Sequence, residues 1–246
     1  FYEQGGGAVI STPIDKYRYV TVTRTGGQLK ERIRLNYSET EEIQTLGEIK
    51  NHIARECLRF LKVEPPIYIS TVADLPEFSG LGSSSSFAVG LLNALHAFRG
   101  ERVSASQLAE EASHVEIDVL QRPIGKQDHY AAAFGGLNFF SFLPDGSVTV
   151  EPQRVAPEVM ERLFDHALML WTGIQRDAGS ILAEQQRNTM SHLERLTAMR
   201  EHARQLQGLL RNGFDPLEVG RVLDATWQLK RQLSSRMTNE RIDSWY

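Results

Sequence analysis

The chain has few of the features that mark secreted, membrane-spanning or nucleic-acid-binding proteins. Only one of its 246 residues is a cysteine, so disulfides contribute nothing, and a reducing compartment, the cytoplasm, is expected. No apolar run approaches the roughly 18–20 residues that a membrane-spanning helix needs. The 27 basic and 31 acidic residues give a net charge of −4 without a basic stripe, which argues against a nucleic-acid partner. Composition therefore predicts a globular protein of one large or two modest domains.

Two ordinary features of chain termini are also missing. Residue 1 is phenylalanine rather than an initiator methionine, and no charged-then-apolar signal segment follows it. The last residues, Asp243 to Tyr246, contain no closing element. We expect from this that the sequence is a piece of a longer protein.

A glycine- and serine-rich stretch is the most informative part of the sequence. Gly80, Gly82 and four consecutive serines, residues 83–86, stand between a strand-like run and an apolar helical run. Glycines let backbone N–H groups face a ligand, and a helix start adds unpaired N–H groups and partial positive charge. The stretch thus predicts a phosphate site, with serine hydroxyls available for a metal ion. A solvated linker is the alternative, although linkers seldom lead straight into an amphipathic helix.

Periodicity predicts the elements around this stretch. The predicted strands and hairpins are a strand at 8–14, a hairpin pairing 17–24 with 31–37, a strand at 67–72, a hairpin of 137–143 with 147–150, and a strand at 167–171. The predicted helices are 47–62, one from the serines to Phe98, one from the Ser104 capping box to about Leu120, one over 178–211, and one beginning at Asp215.

Two acidic residues can complete a site for phosphoryl transfer. Glu116 lies on the edge of an apolar helical stripe, where a carboxylate is costly unless a cation or donor meets it. It could share Mg²⁺ with a loop serine, although a rim carboxylate paired with lysine or arginine is the commoner arrangement. Asp128 follows Gly125-Lys-Gln in a turn and could orient or deprotonate a substrate hydroxyl. Most aspartates in turns simply cap helices, so this interpretation stays open.

Several motifs resemble those of the GHMP small-molecule kinases. Pro76-x-x-x-Gly80-Leu-Gly-Ser-Ser-Ser-Ser86 is similar to that superfamily's central ATP motif, and Gly125-Lys-Gln-Asp128 to its Gly-x-x-Asp turn. Further segments are similar to the branch of bacterial D-glycero-D-manno-heptose 7-phosphate kinases, which make activated heptose. These segments are Gly6 to Tyr17, Arg55 to Leu61, Ala133 to Asn138 and Thr172 to Arg176.

The resemblance implies roles for individual residues. ATP would lie on the central motif, that is on Pro76, Gly80, Leu81, Gly82, Ser83, Ser84, Ser85 and Ser86. Ser84 and Glu116 match the Mg²⁺ ligands, and Asp128 matches the catalytic base that faces the anomeric hydroxyl. The residues implied to border the sugar phosphate are Asp15, Lys16, Thr172, Gly173 and Arg176. Arginine suits that task because its planar fork binds two phosphate oxygens, although a surface position at a helix start is an equal alternative for Arg176.

The sequence departs from the family at its ends and at two internal positions. The resemblance leads us to expect a basic strand and a Gly-Gly-Gly-Thr-Asp segment before residue 1, and a glycine-rich loop after residue 246. His129 stands where the sugar kinases usually have glutamine, and Asp177 where a small or neutral residue is usual. The missing segments put the activity of this fragment in doubt more than the two substitutions do.

These observations together predict an α+β protein with the two-domain GHMP kinase fold. The N-terminal domain, residues 1–155, would bind ATP on a mixed sheet with helices, and residues 156–246 would form an incomplete ferredoxin-like domain. The predicted partners are a small-molecule sugar phosphate and, as an option, a second copy in a homodimer, with neither nucleic acid nor membrane. The alternatives are another GHMP sugar kinase of the fucose type and a non-catalytic sugar-phosphate or nucleotide-binding homologue.

Overall fold

The computed structural model describes residues 1–24, 26, 31–76, 79–174 and 178–246. The strands are β1 Gly7–Ser11, β2 Arg18–Thr23, β3 Ile33–Asn36, β4 Thr40–Ile43, β5 Ile67–Ala73, β6 Asn138–Phe142 and β7 Val148–Pro152. The α-helices are α1 Tyr2–Gly5, α2 His52–Phe60, α3 Ser83–Phe98, α4 Ala105–Ser113, α5 Gln127–Phe134, α6 Pro157–Asp165, α7 Ala178–Arg187, α8 Leu193–Asn212, α9 Pro216–Lys230 and α10 Glu240–Trp245. Two 3₁₀-helices, Leu46–Glu48 and Met190–His192, and a π-helix, His114–Val119, lie between them. This mixture confirms the α+β class.

The chain forms two compact units, which are described one at a time. One consists of Phe1–Thr12 with Gly135–Tyr246, and the other is Pro13–Phe134. The predicted domain boundary near residue 155 stays a prediction about where the family's domains divide.

The unit Pro13–Phe134 is built on a four-stranded mixed sheet in the order β2-β5-β3-β4. Apolar side chains from β3, β5, α2 and α3 form one buried core. The helix α3 can cross close to β2 because Gly90 has no side chain there: a Cβ at that position would lie 3.2 Å from Val20 Cγ2. The start of α3 lies beside the start of β2, where the Arg18 side chain reaches Ser83.

The predicted hairpin of residues 17–24 with 31–37 is wrong in its pairing. Both segments are strands, but β5 lies between them, antiparallel to β2 and parallel to β3, and β3 makes its antiparallel pair with β4. Alternation fixes which side chains share a face, whereas it does not say which strand lies alongside. Ile67 and Ile69 of β5 are fully buried, as expected of a central strand.

The unit of residues 1–12 and 135–246 holds the antiparallel sheet β1-β6-β7, which includes the predicted second hairpin. Helices α8 and α9 pack together, and α8 also packs against β1. A small core, which includes Leu210 and Phe214, lies between the helices and the sheet. The predicted cap of the last long helix is confirmed, since Asp215 Oδ1 accepts the backbone N–H of Leu217 at 2.9 Å.

Two other predictions for this unit are wrong. Residues 167–171 are not a strand: no described strand pairs with them, and Leu168 is 93% and Leu170 83% exposed. The helix predicted over 178–211 is divided into α7 and α8 by the 3₁₀ turn Met190–His192.

Within the described ranges, no helix has both the length and the apolar character needed to cross a bilayer.

Candidate functional site

The glycine- and serine-rich stretch forms the turn into α3, as predicted. Gly80 and Gly82 have φ of +77° and +69°, in the left-handed region where glycine is favoured. Gly82 is the residue at the N-cap of α3, and its carbonyl accepts the Ser86 N–H at 2.9 Å. The helix therefore begins with its unpaired N–H groups at the serines, the geometry that favours an anion.

The serines of the first turn face different surroundings. Arg18 donates to Ser83 Oγ at 2.6 Å, and Ser86 Oγ donates to the Ser83 carbonyl at 3.1 Å. Ser85 is buried. Ser84 is half-buried, and its hydroxyl has no hydrogen-bond partner in the part of the chain that the structure describes. Ser84 is thus available for a phosphate or a metal ion.

Asp128 lies directly beside this turn. A Cβ built on Gly82 would lie 3.5 Å from Asp128 Cβ and 3.6 Å from Oδ2. The aspartate is exposed in the first turn of α5, and α5 packs against α3. The structure thus brings together the two motifs that the sequence singled out, 42 residues apart, counting from Ser86 to Asp128.

A partly buried hydrogen-bond network holds the turn that carries Asp128 against α4. Glu110 on α4 accepts hydrogen bonds from Lys126 Nζ at 2.9 Å and from the hydroxyl of Tyr130. Burial, and then the hydrogen bond to Glu110, raises the pKa of Tyr130, so its hydroxyl remains a donor. Lys126 and Tyr130 stand on either side of Asp128 in the chain, so the network limits the positions that its carboxylate can take.

Glu116 is fully buried rather than at a rim. It lies in the π-helix, a form of helix that is frequent at functional sites. Its Oε1 accepts Arg122 Nη1 at 2.6 Å, and its Oε2 lies 2.9 Å from His129 Nε2. The arginine pairing that the sequence left open is therefore present, although the carboxylate is buried. Arg122 reaches it because Gln121, with φ of +53°, turns the chain back after the π-helix.

Ser84 and Glu116, the residues implied to bind magnesium, carry the type of donor atom that this ion prefers. Both are hard oxygen donors, and Mg²⁺ usually takes one or two protein groups and completes its shell with phosphate and water. Each oxygen of Glu116 accepts one hydrogen bond and retains a second lone pair. Because the carboxylate has no exposed surface, Arg122, itself 37% exposed, has to move to admit the ion. Over the described ranges, no cluster of three or more His, Cys, Asp or Glu side chains could hold a metal.

The residues implied to border the sugar phosphate fall in different units. Asp15 and Lys16 are exposed just before β2, where the Tyr17 N–H donates to Asp74 Oδ2 at 2.8 Å. Asp74 follows the last residue of β5, and Arg18, the first residue of β2, pairs with Ala73, so the two segments meet at the same end of the sheet. Thr172 and Gly173 belong to the other unit. Arg176, like Asp177, lies outside the described residues.

Two residues of the site were not assigned a role from the sequence. Arg18 contacts Ser83 and lies over the Phe87 ring, 5.6 Å from its centroid. The alternation of the strand could have indicated a role for Arg18, because it places this charged residue on the same face as the partly buried Val20 and Val22. His129 was noted as a departure, but its contact with Glu116 depends on a buried approach that the sequence does not show.

The comparisons with known proteins agree with the fold and the motifs. Residues 46–136 match the family model described as GHMP kinases N terminal domain. Residues 46–136 are thus similar to a GHMP kinase N-terminal domain, and the fold of the chain is that of the GHMP kinases. A solved structure described as a D-glycero-D-manno-heptose 1-phosphate kinase from Bacteriodes thetaiotaomicron has a TM-score of 0.76 and 25% identity, covering 92% of this chain and 71% of its own.

Two curated relatives are described as kinases of a sugar or a sugar phosphate. The chain is 28% identical over 224 residues to a D-glycero-alpha-D-manno-heptose 7-phosphate kinase of Campylobacter jejuni, covering 86% of this chain. It is 29% identical over 179 residues to an L-fucokinase/L-fucose-1-P guanylyltransferase of Bacteroides fragilis, covering 69% of this chain. The match spans 64% of the Campylobacter protein's length and 18% of the Bacteroides protein's length.

Proposed function

We propose that the protein is an ATP-dependent sugar-phosphate kinase that phosphorylates the anomeric hydroxyl of D-glycero-D-manno-heptose 7-phosphate. The observation that carries the proposal is the position of Asp128, whose carboxylate lies against Gly82 at the start of α3. A base and a phosphate-binding helix start are thereby adjacent, which is what phosphoryl transfer to a hydroxyl requires. The heptose substrate rests on the similarity to the Campylobacter enzyme. Because ATP is the phosphate donor, we include the cytoplasm in the proposal.

Each group of residues at the site would have its own role in the reaction. The turn into α3 would hold the phosphates of ATP with backbone N–H groups, and the Arg18 guanidinium beside Ser83 would add positive charge there. Asp128 would orient the acceptor hydroxyl and take its proton. Ser84 and Glu116 would hold Mg²⁺, which when bound neutralises phosphate charge. Positioning and charge neutralisation would then supply most of the rate.

An ADP-release assay on the complete product of the gene tests the proposal. D-glycero-D-manno-heptose 7-phosphate should give a turnover that the sugar without phosphate does not, and product NMR should show phosphate on the anomeric carbon. Asp128→Asn should lower kcat by about 10²–10⁴-fold, because general base catalysis contributes that much. Asp118→Asn is a matched control, since Asp118 is an exposed aspartate bonded to His114 at 2.9 Å. A turnover near normal in Asp128→Asn contradicts the base assignment.

A second candidate is a kinase for fucose or a related hexose, which the similarity to the Bacteroides fragilis protein favours. In the same assay, turnover with L-fucose and none with heptose phosphate would replace the first proposal with this one. Binding of an ATP analogue with no ADP release from either sugar would instead indicate a non-catalytic homologue.

A further inference from the structure

His129 is held against Glu116 with no access to solvent. Both side chains have 0% exposure, and His129 Nε2 lies 2.9 Å from Glu116 Oε2. Since the oxygens of a carboxylate only accept, the proton of the hydrogen bond belongs to Nε2. The bond joins the π-helix to the first turn of α5, where His129 directly follows Asp128.

Stability alone does not explain this histidine. Its other ring nitrogen, Nδ1, is buried and has no partner among the described residues, and the same holds for Ser113 Oγ, three positions before Glu116. Buried polar atoms normally have partners because an unpaired one is costly. By contrast, His96, the other buried histidine of this unit, has a carboxylate on each ring nitrogen, Glu101 at 2.6 Å and Glu111 at 2.7 Å.

The bond also restricts the carboxylate of Glu116. Arg122 Nη1 holds Oε1 and His129 Nε2 holds Oε2, so the plane of the carboxylate is set from both sides. Arg122 is partly exposed and can move away, whereas His129 cannot leave without unpacking α5. When Arg122 moves, His129 is the contact that keeps the carboxylate in its orientation.

We propose that His129 is a positioning residue, which orients Glu116 for the metal and couples it to the helix that carries Asp128. This rests on the proposed function, in which Glu116 is a ligand of Mg²⁺. Partners of ligating residues typically contribute about 10–100-fold to metal affinity. A glutamine at this position would place an amide N–H where the imidazole now donates.

The test measures the gain in nucleotide affinity that Mg²⁺ produces. Calorimetry gives the Kd of the non-hydrolysable analogue adenylyl imidodiphosphate with Mg²⁺ and with EDTA, and the ratio of the two isolates the metal. His129→Met removes the donor at similar volume and should reduce this ratio about tenfold or more, with the Kd in EDTA unchanged. His129→Gln should stay within about threefold of the wild type because it restores the donor.

His96→Met is the matched control. His96 is buried in the last turn of α3, about 20 Å along the helix from Ser83 at 1.5 Å per residue. It should lower stability and leave the ratio unchanged. Should His129→Met fail to fold, His129→Asn, which keeps the amide but is too short to reach, takes its place.

Each outcome bears on one claim. An unchanged ratio in His129→Met, or an equal loss in Met and Gln, overturns the positioning role and leaves the proposed function standing. A wild type that binds no nucleotide overturns the proposed function and with it the inference. A wild type that binds nucleotide equally with and without Mg²⁺ overturns the metal role of Glu116 and therefore that of His129.

Discussion

Replacing Gly82 with alanine tests the phosphate-binding turn at its tightest point. With φ of +69°, an alanine is strained by roughly 1–2 kcal/mol, which a lower entropy of the unfolded chain partly offsets, so about 1 kcal/mol of stability should be lost. The new methyl would lie 3.5–3.6 Å from three atoms of Asp128. These are ordinary contacts, so the loss of stability should stop at the backbone strain.

The effect on binding should exceed the effect on stability. The methyl would occupy the space between the turn and the Asp128 carboxylate, where a phosphate oxygen has to approach the backbone. Loss of one hydrogen bond to a charged group costs about 1.5–3 kcal/mol, which is a roughly 10–100-fold weaker Kd for the ATP analogue. Turnover should fall at least as far, because the same methyl crowds the base.

Gly100 provides the control for Gly82→Ala. It has φ of +80°, ends α3 at its other terminus, and has nothing within 4 Å of a Cβ. Gly100→Ala should therefore shift the midpoint of urea unfolding by a similar amount, roughly 0.3–0.5 M, and leave nucleotide binding unchanged. Equal nucleotide affinity in the wild type and Gly82→Ala would refute the phosphate site. A much larger loss of stability in Gly82→Ala than in Gly100→Ala would refute the strain argument.

Two further predictions concern buried groups outside the turn. Burial, followed by the nearby negative charge of Glu116, raises the pKa of the Cys57 thiol. Ellman's reagent should therefore react with Cys57 only in denaturant. Reaction of the folded protein at the rate of an exposed thiol would contradict this. Burial lowers the pKa of His96, but hydrogen bonds to Glu111 and Glu101 outweigh it and raise the pKa above its ordinary value. The stability that protonated His96 contributes to the folded protein should be complete below about pH 6.5 and lost as the pH rises through the raised pKa. The difference in free energy of urea unfolding between the wild type and His96→Met should therefore be smaller at pH 8.5 than at pH 6.

Local sequence predicts the start of a helix correctly where a single nearby hydrogen bond determines it. Ser104 Oγ accepts the Gln107 N–H at 3.1 Å, as its capping motif indicates. The side chain of Gln107 points along the helix, where its Nε2 donates to Glu111 Oε1 at 2.8 Å. An alternative partner within reach is thus enough to change a local prediction.

Partners distant in the sequence account for the errors. The segment 167–171 has the apolar composition of a strand, but a strand needs a neighbour to pair its backbone groups, and none of the described strands lies beside it. The first two strands of the unit Pro13–Phe134 alternate as predicted, yet β5 separates them. Composition and period do not specify which strand is adjacent.

The sequence alone determined the turn into α3, because glycines at left-handed positions followed by an apolar helix leave few other conformations. It also determined the residue types of the site: hydroxyls, a glutamate and an aspartate. Only the tertiary structure decided that Asp128 lies against Gly82, and that Glu116 is buried between Arg122 and His129. The physical reason is that packing of α3, α5 and the π-helix sets these distances, and a contact between helices has no local signature in the chain.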